Sequence, residues 1–128
     1  MTDNTDKLLG YYETIKDRTG KMHRIYSCKL KDLCKLKEFT TKYNPIYLQI
    51  QALEPWLDEE GKPKLDKDNT PLLMFQNPEF MDGIYEVVLM ALDYKETKEE
   101  ITEWLDFNLL IEIIQIFLGI SQFKKKEM

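Results

Sequence analysis

The sequence predicts an α+β domain: an N-terminal β-hairpin or small antiparallel sheet followed by a C-terminal cluster of about three α-helices. Three observations carry this. Apolar residues recur with a period of two before Leu30 and at helical spacing after it. A stretch rich in proline and charge, Glu54 to Pro71, then interrupts the pattern. Beyond Asn77 the chain carries helix start signals in succession. The 128 residues are read as one domain, large enough to bury a core without metal or disulfide staples. Within it, 8–53 forms the hairpin or sheet plus one helix, 54–76 an exposed loop, 77–123 the helical part and 124–128 a basic tail.

Residues 8–27 read as the hairpin. Tyr11, Glu13 and Ile15 alternate on one side, and Met22, Arg24 and Tyr26 keep the same period in the return strand. Asp17-Arg18-Thr19-Gly20 is the turn, with Gly20 free to adopt the left-handed conformation that a type I turn plus bulge requires. From Leu30 to Lys42 the spacing is helical, with Leu30, Leu33 and Cys34 expected on one apolar face beside the stem of Lys37. Asn44-Pro45 ends that helix, because the residue before a proline is pushed out of the helical region. Ile46 to Leu53 fits two templates. Ile46, Leu48, Ile50 and Ala52 alternate as in a strand, whereas Asn44 as cap and Pro45 as first residue suit a helix. The strand is preferred, since a third strand would support a hairpin that is marginal alone.

Glu54 to Pro71 reads as a long exposed loop, and no internal repeat is read anywhere in the chain. Asn77-Pro78-Glu79 opens a helix whose stripe is Met81, Ile84, Tyr85, Val88 and Leu92. Thr97-Lys98-Glu99-Glu100 is a capping box that opens a short helix carrying Ile101, Trp104 and Leu105. Asp106 or Asn108 caps a last helix ending near Gly119.

Composition narrows the function classes. The net charge is −5, split into +4 up to Asn44 and −9 from Pro45 onward. Such an acidic chain is poorly suited to nucleic acid, which needs a basic face. Leu109 to Ile120, the longest nearly apolar run, has 12 residues, short of the roughly 20 that span a bilayer. Met1 to Asp6 lacks the basic and apolar regions of a signal peptide, and with two cysteines the expectation is a reducing cytoplasm.

Catalytic and metal chemistry find little footing. His23 is the single histidine and is expected on an exposed or edge face of its strand. Cys28 and Cys34 are six apart, outside zinc-knuckle spacing, and Cys34 is expected to pack as a small hydrophobe. Glycines are scattered singly, so no phosphate loop forms, and neither Ser27 nor Ser121 lies in a nucleophile elbow. Glu99, Glu100, Glu103 and Asp106 lie beside a helix cap, where dipole and solvent account for them. Asp66-x-Asp68-x-Thr70 resembles the start of a calcium loop, but Pro71 and Asn77 stand where glycine and glutamate are needed. No catalytic residue, cofactor or metal is therefore expected.

The last helix stands out. Asn108, Glu112, Gln115, Gly119 and Gln122 form one narrow polar stripe, and the remaining circumference is apolar. Such a helix is central to a core or covered by a partner or a second copy. Ile111, Ile116 and Leu118 lie away from the Leu110–Ile114–Phe117 seam and, with Trp104, are the candidate partner-binding residues.

From Ala91-Leu92-Asp93-Tyr94 through Glu96-Thr97-Lys98-Glu99-Glu100-Ile101-Thr102-Glu103-Trp104-Leu105-Asp106-Phe107 to Ile113-Ile114-Gln115-Ile116-Phe117, the chain resembles the tail assembly chaperones of long-tailed phages and phage-tail-like bacteriocins. The hairpin with Gly20 and the helix start at Leu30-Lys31-Asp32-Leu33 are similar in order to that family's N-terminal half. The resemblance implies a non-enzymatic scaffold that binds the tape-measure protein, helps tail-tube subunits polymerise around it and is absent from the mature particle. It also implies a longer frameshifted form, for which codons of Lys124-Lys125-Lys126 are the candidate slip site. A generic adaptor using the same helix, and a small enzyme of unknown class, are the alternative readings.

Overall fold

The structure, a computed structural model, describes residues 12–121. Residues 8–11 of the expected hairpin, Gln122 and the basic tail at Lys124-Lys125-Lys126 lie outside the described residues. The α+β order holds. β1 (Tyr12–Lys16) and β2 (Met22–Tyr26) pair antiparallel, with Tyr12 opposite Tyr26 and Ile15 opposite His23. Facing residues share a side of the ribbon. Ile15, His23 and Ile25 thus form a buried face, laid on the helices that follow. Among the described residues the sheet has two strands.

A 3₁₀ turn (Leu30–Asp32) leads into α1 (Leu33–Lys42). Its buried residues are Leu36 and Phe39, not the expected Leu30–Leu33–Cys34 face. Leu30 is 86% exposed and Cys34 is exposed, because the α-helical register starts only at Leu33. The expected strand over 46–53 is also corrected: Pro45–Tyr47 is a 3₁₀ turn and α2 (Leu48–Ala52) follows it. The helix signal prevailed over the alternation. The Asn44 side chain accepts the Ile46 amide at 3.1 Å, and Pro45 presets the first helical residue. Leu48 and Ala52, one helical turn apart, then face the core.

The stretch 54–76 is exposed but ordered by a repeat that the sequence reading missed. Trp56-Leu57-Asp58-Glu59-Glu60-Gly61-Lys62-Pro63 and Lys64-Leu65-Asp66-Lys67-Asp68-Asn69-Thr70-Pro71 share the octad x-Leu-Asp-x-x-Gly/Asn-x-Pro. Their equivalent residues close a ring: the Trp56 amide donates to the Leu72 carbonyl (2.9 Å), Leu72 to Lys64 (2.8 Å) and Lys64 to Trp56 (2.8 Å). Three proline–leucine bridges, Pro55–Leu73, Leu57–Pro63 and Leu65–Pro71, surround it. Each octad turns alike. The Asp58 carboxylate accepts the amides of Glu60 and Lys62, and Asp66 those of Asp68 and Thr70. The fourth turn residue is left-handed, Gly61 at φ +82° and Asn69 at φ +61°. Asp17 to Lys21 in the hairpin repeats the same turn. The Asp66-Asp68-Thr70 spacing that resembles a calcium loop is this turn.

A last 3₁₀ turn (Met74–Gln76) precedes α3 (Pro78–Ala91), α4 (Lys98–Trp104) and α5 (Phe107–Ile120). The three start signals hold: Asn77 caps α3, the Thr97–Glu100 box caps α4 and Asp106 caps α5. These three are the expected C-terminal cluster; with α1 and α2 before it, the α-helices among the described residues number five. At the centre lies α5, touching the hairpin, α2 and α3. Leu109, Leu110, Ile113, Ile114 and Phe117 are buried. At about 1.5–3 kcal/mol for each fully buried side chain, this burial outweighs the tenths of a kcal/mol by which isoleucine disfavours a helix.

Candidate functional site

Two arrangements combine chemistry with position: an apolar face presented to solvent, and a polar cluster sealed inside. The face comes from the turn and helix that replace the expected third strand. Ile46, Ile50 and Leu53, at i, i+4 and i+7, are 56%, 60% and 63% exposed. Tyr47 stands beside them, half in solvent. Apolar residues stand on both sides of this segment: Leu48 and Ala52 fasten it to the core, and Ile46, Ile50 and Leu53 stay uncovered. The Met74 amide bonds the Glu54 carbonyl at 2.9 Å, which brings the turn carrying half-exposed Phe75 against the Leu53 end.

The residues expected to bind a partner are placed differently. Trp104 is buried, so it offers no surface. Ile116 and Leu118 are half-buried against the core, and Ile111 is half-exposed. The seam Leu110–Ile114–Phe117 is buried as expected.

The sealed cluster centres on His23, which is 3% exposed rather than on an open or edge face. Its Nε2 lies 2.7 Å from Asp17 Oδ2 and its Nδ1 2.6 Å from Glu96 Oε2. The ring stacks on Trp104 with centroids 4.0 Å apart, and the Trp104 indole N–H donates to Glu96 Oε1 at 2.9 Å. Each ring nitrogen of His23 thus faces a carboxylate oxygen, one from the β1–β2 turn and one from the α3–α4 connection. The bond from His23 holds the Asp17 carboxyl well below the usual carboxylate range. The Thr19 hydroxyl and the Thr19 and Lys21 amides add to this, and burial opposes it.

Glu96 reaches His23 because the chain leaves α3 through two left-handed residues, Asp93 at φ +57° and Tyr94 at φ +58°. Non-glycine residues hold such angles only when their surroundings fix them. Here Lys29 Nζ grips Asp93 at 2.9 Å, and the Tyr94 hydroxyl donates to Asp32 at 3.1 Å. Burial and that bond push the Tyr94 hydroxyl up to about 12.

Chemically, the cluster is a lock. Both ring nitrogens of His23 are engaged, so it takes up no further proton donor or acceptor without losing a carboxylate. It ties the β1–β2 turn to the α3–α4 connection and to α4. No helix of the described residues is long and apolar enough to cross a membrane, and no group of three or more His, Cys, Asp or Glu among them is arranged to hold a metal ion. The chain matches no family model, and neither a curated protein nor a solved structure shows significant similarity to it.

Proposed function

We propose that this protein is a non-enzymatic tail assembly chaperone that binds and solubilises helical segments of a tape-measure protein in the bacterial cytoplasm, beside the tail-tube subunit. The observation that supports this reading is the uncovered Ile46–Ile50–Leu53 stripe, whose i, i+4, i+7 spacing suits side-by-side packing with a partner's apolar helix face. Exposed apolar residues grouped in this way mark interaction surfaces more often than isolated ones do. The resemblance over Ala91 to Phe117 supplies the identity of the partner. Self-association and a frameshifted longer form through Lys124-Lys125-Lys126 belong to the same reading.

The test is co-expression with tape-measure segments. The wild-type chain keeps such a segment soluble, and Ile50→Lys with Leu53→Lys loses that ability while keeping its own melting temperature. If the double variant solubilises the segment as well as wild type does, the stripe is not the binding face. If wild type fails with every segment of the neighbouring tape-measure gene, the chaperone assignment itself is wrong.

A further inference from the structure

We infer that the groove between α1 and α3 is a slot for an arginine side chain of a partner protein. This inference goes beyond the proposed chaperone role and rests on residues outside the Ile46–Leu53 stripe, so either reading can fail without the other.

The two helices run antiparallel, and two ion pairs tie them together across the groove. Lys42 meets Glu79 at 2.9 Å, and Lys35 meets Glu86 at 3.7 Å. Both partners of one pair are seven residues from those of the other, so the pairs stand about 10 Å apart along the helices at 1.5 Å rise per residue. Between them the groove opens to a volume of about 300 Å³. That is the small end of ligand sites, suited to one long side chain. Its floor is apolar: the Phe39 ring, Val87 and Met90.

Gly83 creates the space. It sits in the interior of α3, where glycine is a poor choice. A Cβ placed there would lie 3.5 Å from the Phe39 ring, an ordinary contact, so packing does not demand a glycine. What its missing side chain leaves is an opening over Phe39.

Charge identifies the occupant. Four carboxylates rim the groove, Glu38, Glu79, Asp82 and Glu86, against the two lysines. Glu38 lies 3.8 Å from Lys42, which is already committed to Glu79, and Asp82 is reached by Lys98 of α4 at a long 3.4 Å. A cation entering mid-groove therefore meets the acidic α3 wall of Glu79, Asp82 and Glu86, with Glu38 opposite them between Lys35 and Lys42. Arginine fits best. Its flat, weakly hydrated guanidinium stacks on an aromatic face and bonds two carboxylates at once, and its aliphatic stem suits the Val87–Met90 floor.

The test is protein NMR on the full chain with N-acetylarginine methylamide, compared with its neutral isostere N-acetylcitrulline methylamide. The arginine probe should shift the Gly83, Phe39 and Val87 amides saturably, and the citrulline probe should bind about fivefold more weakly, the order expected for a partly exposed ion pair. Gly83→Leu fills the slot and favours the helix, so it should fold and lose the shifts. Glu38→Gln with Asp82→Asn should weaken the arginine probe by about fivefold with the fold intact. Equal binding of the two probes overturns the inference, as does undiminished binding by Gly83→Leu, or no saturable shift at Gly83 up to the solubility of the probe.

Discussion

Replacing His23 with phenylalanine isolates what the buried cluster contributes. The substitution keeps a flat ring against Trp104 and removes both ring nitrogens, leaving Asp17 and Glu96 without the hydrogen-bonding group between them. Removing one member of a buried ion pair costs about 3–5 kcal/mol, mostly because the remaining charge stays desolvated. The structure argues for the low end. Asp17 keeps the Thr19 hydroxyl and two amides, and Glu96 keeps the Trp104 indole and is itself 14% exposed. A loss of about 3 kcal/mol corresponds to a melting temperature lowered by about 12 °C in a domain of this size. In urea, with a slope of about 1.5–2 kcal/mol per molar, the midpoint should fall by about 1.5–2 M. Urea unfolding followed by tryptophan fluorescence, in a Trp56→Phe background so that Trp104 alone reports, reads this directly. A double-mutant cycle with Glu96→Gln should show coupling above about 0.5 kcal/mol, the threshold for residues in contact. A loss below about 1 kcal/mol, the range of an ordinary surface change, would refute the lock.

Acid should act through the same cluster. The Asp17 pKa is lowered in the folded state, so its contribution is present above the ordinary carboxylate value and is lost as the pH falls below about 4; urea midpoints measured down to pH 2–3 should drop more steeply for wild type than for His23→Phe. Tyr94 has the opposite sign: its hydroxyl is raised to about 12, so stability is full below about 10 and declines as the pH rises towards 12, which Tyr94→Phe should blunt. In the octad turns Asn69→Gly should leave the melting temperature unchanged or raise it slightly, whereas Gly61→Val, forced to φ +82°, should cost about 1–3 kcal/mol. Gly83→Ala should stabilise α3 by about 0.5–1 kcal/mol, because the added methyl finds ordinary space beside Phe39.

Local chemistry was the legible part of the fold. The turn at Asp17–Gly20 and the caps at Asn77, Thr97 and Asp106 need only residues within a few positions of one another, and each forms as its sequence signature says. The cluster was not legible, because Glu96 is 73 residues from His23 and reaches it through left-handed angles at Asp93 and Tyr94 that no motif announces. The octads were legible and were missed. Reading 54–71 for composition hides an eight-residue period that Leu57, Leu65, Asp58, Asp66, Pro63 and Pro71 spell out. At Ile46 to Leu53 both periods were present in the letters, and the Asn44 cap decided between them.

That last case moves the candidate binding face. Read from sequence, the surplus of apolar surface belonged to the last helix. In the folded chain that helix is the centre of the core, and the uncovered stripe runs from the Pro45–Tyr47 turn across α2 to Leu53. One pair of variants separates the two surfaces. Ile116 packs half-buried against the core, so Ile116→Glu brings a charge into partly apolar surroundings and should lower stability by about 1–3 kcal/mol. Ile50 is 60% exposed, and Ile50→Lys should change stability by no more than about 0.5 kcal/mol. If partner binding depends on α2, Ile50→Lys abolishes it at unchanged melting temperature, and Ile116→Glu reduces it only in step with unfolding. The reverse pattern, binding lost in Ile116→Glu with its melting curve intact, would return the partner to the last helix and require that helix to be far less covered than this core makes it.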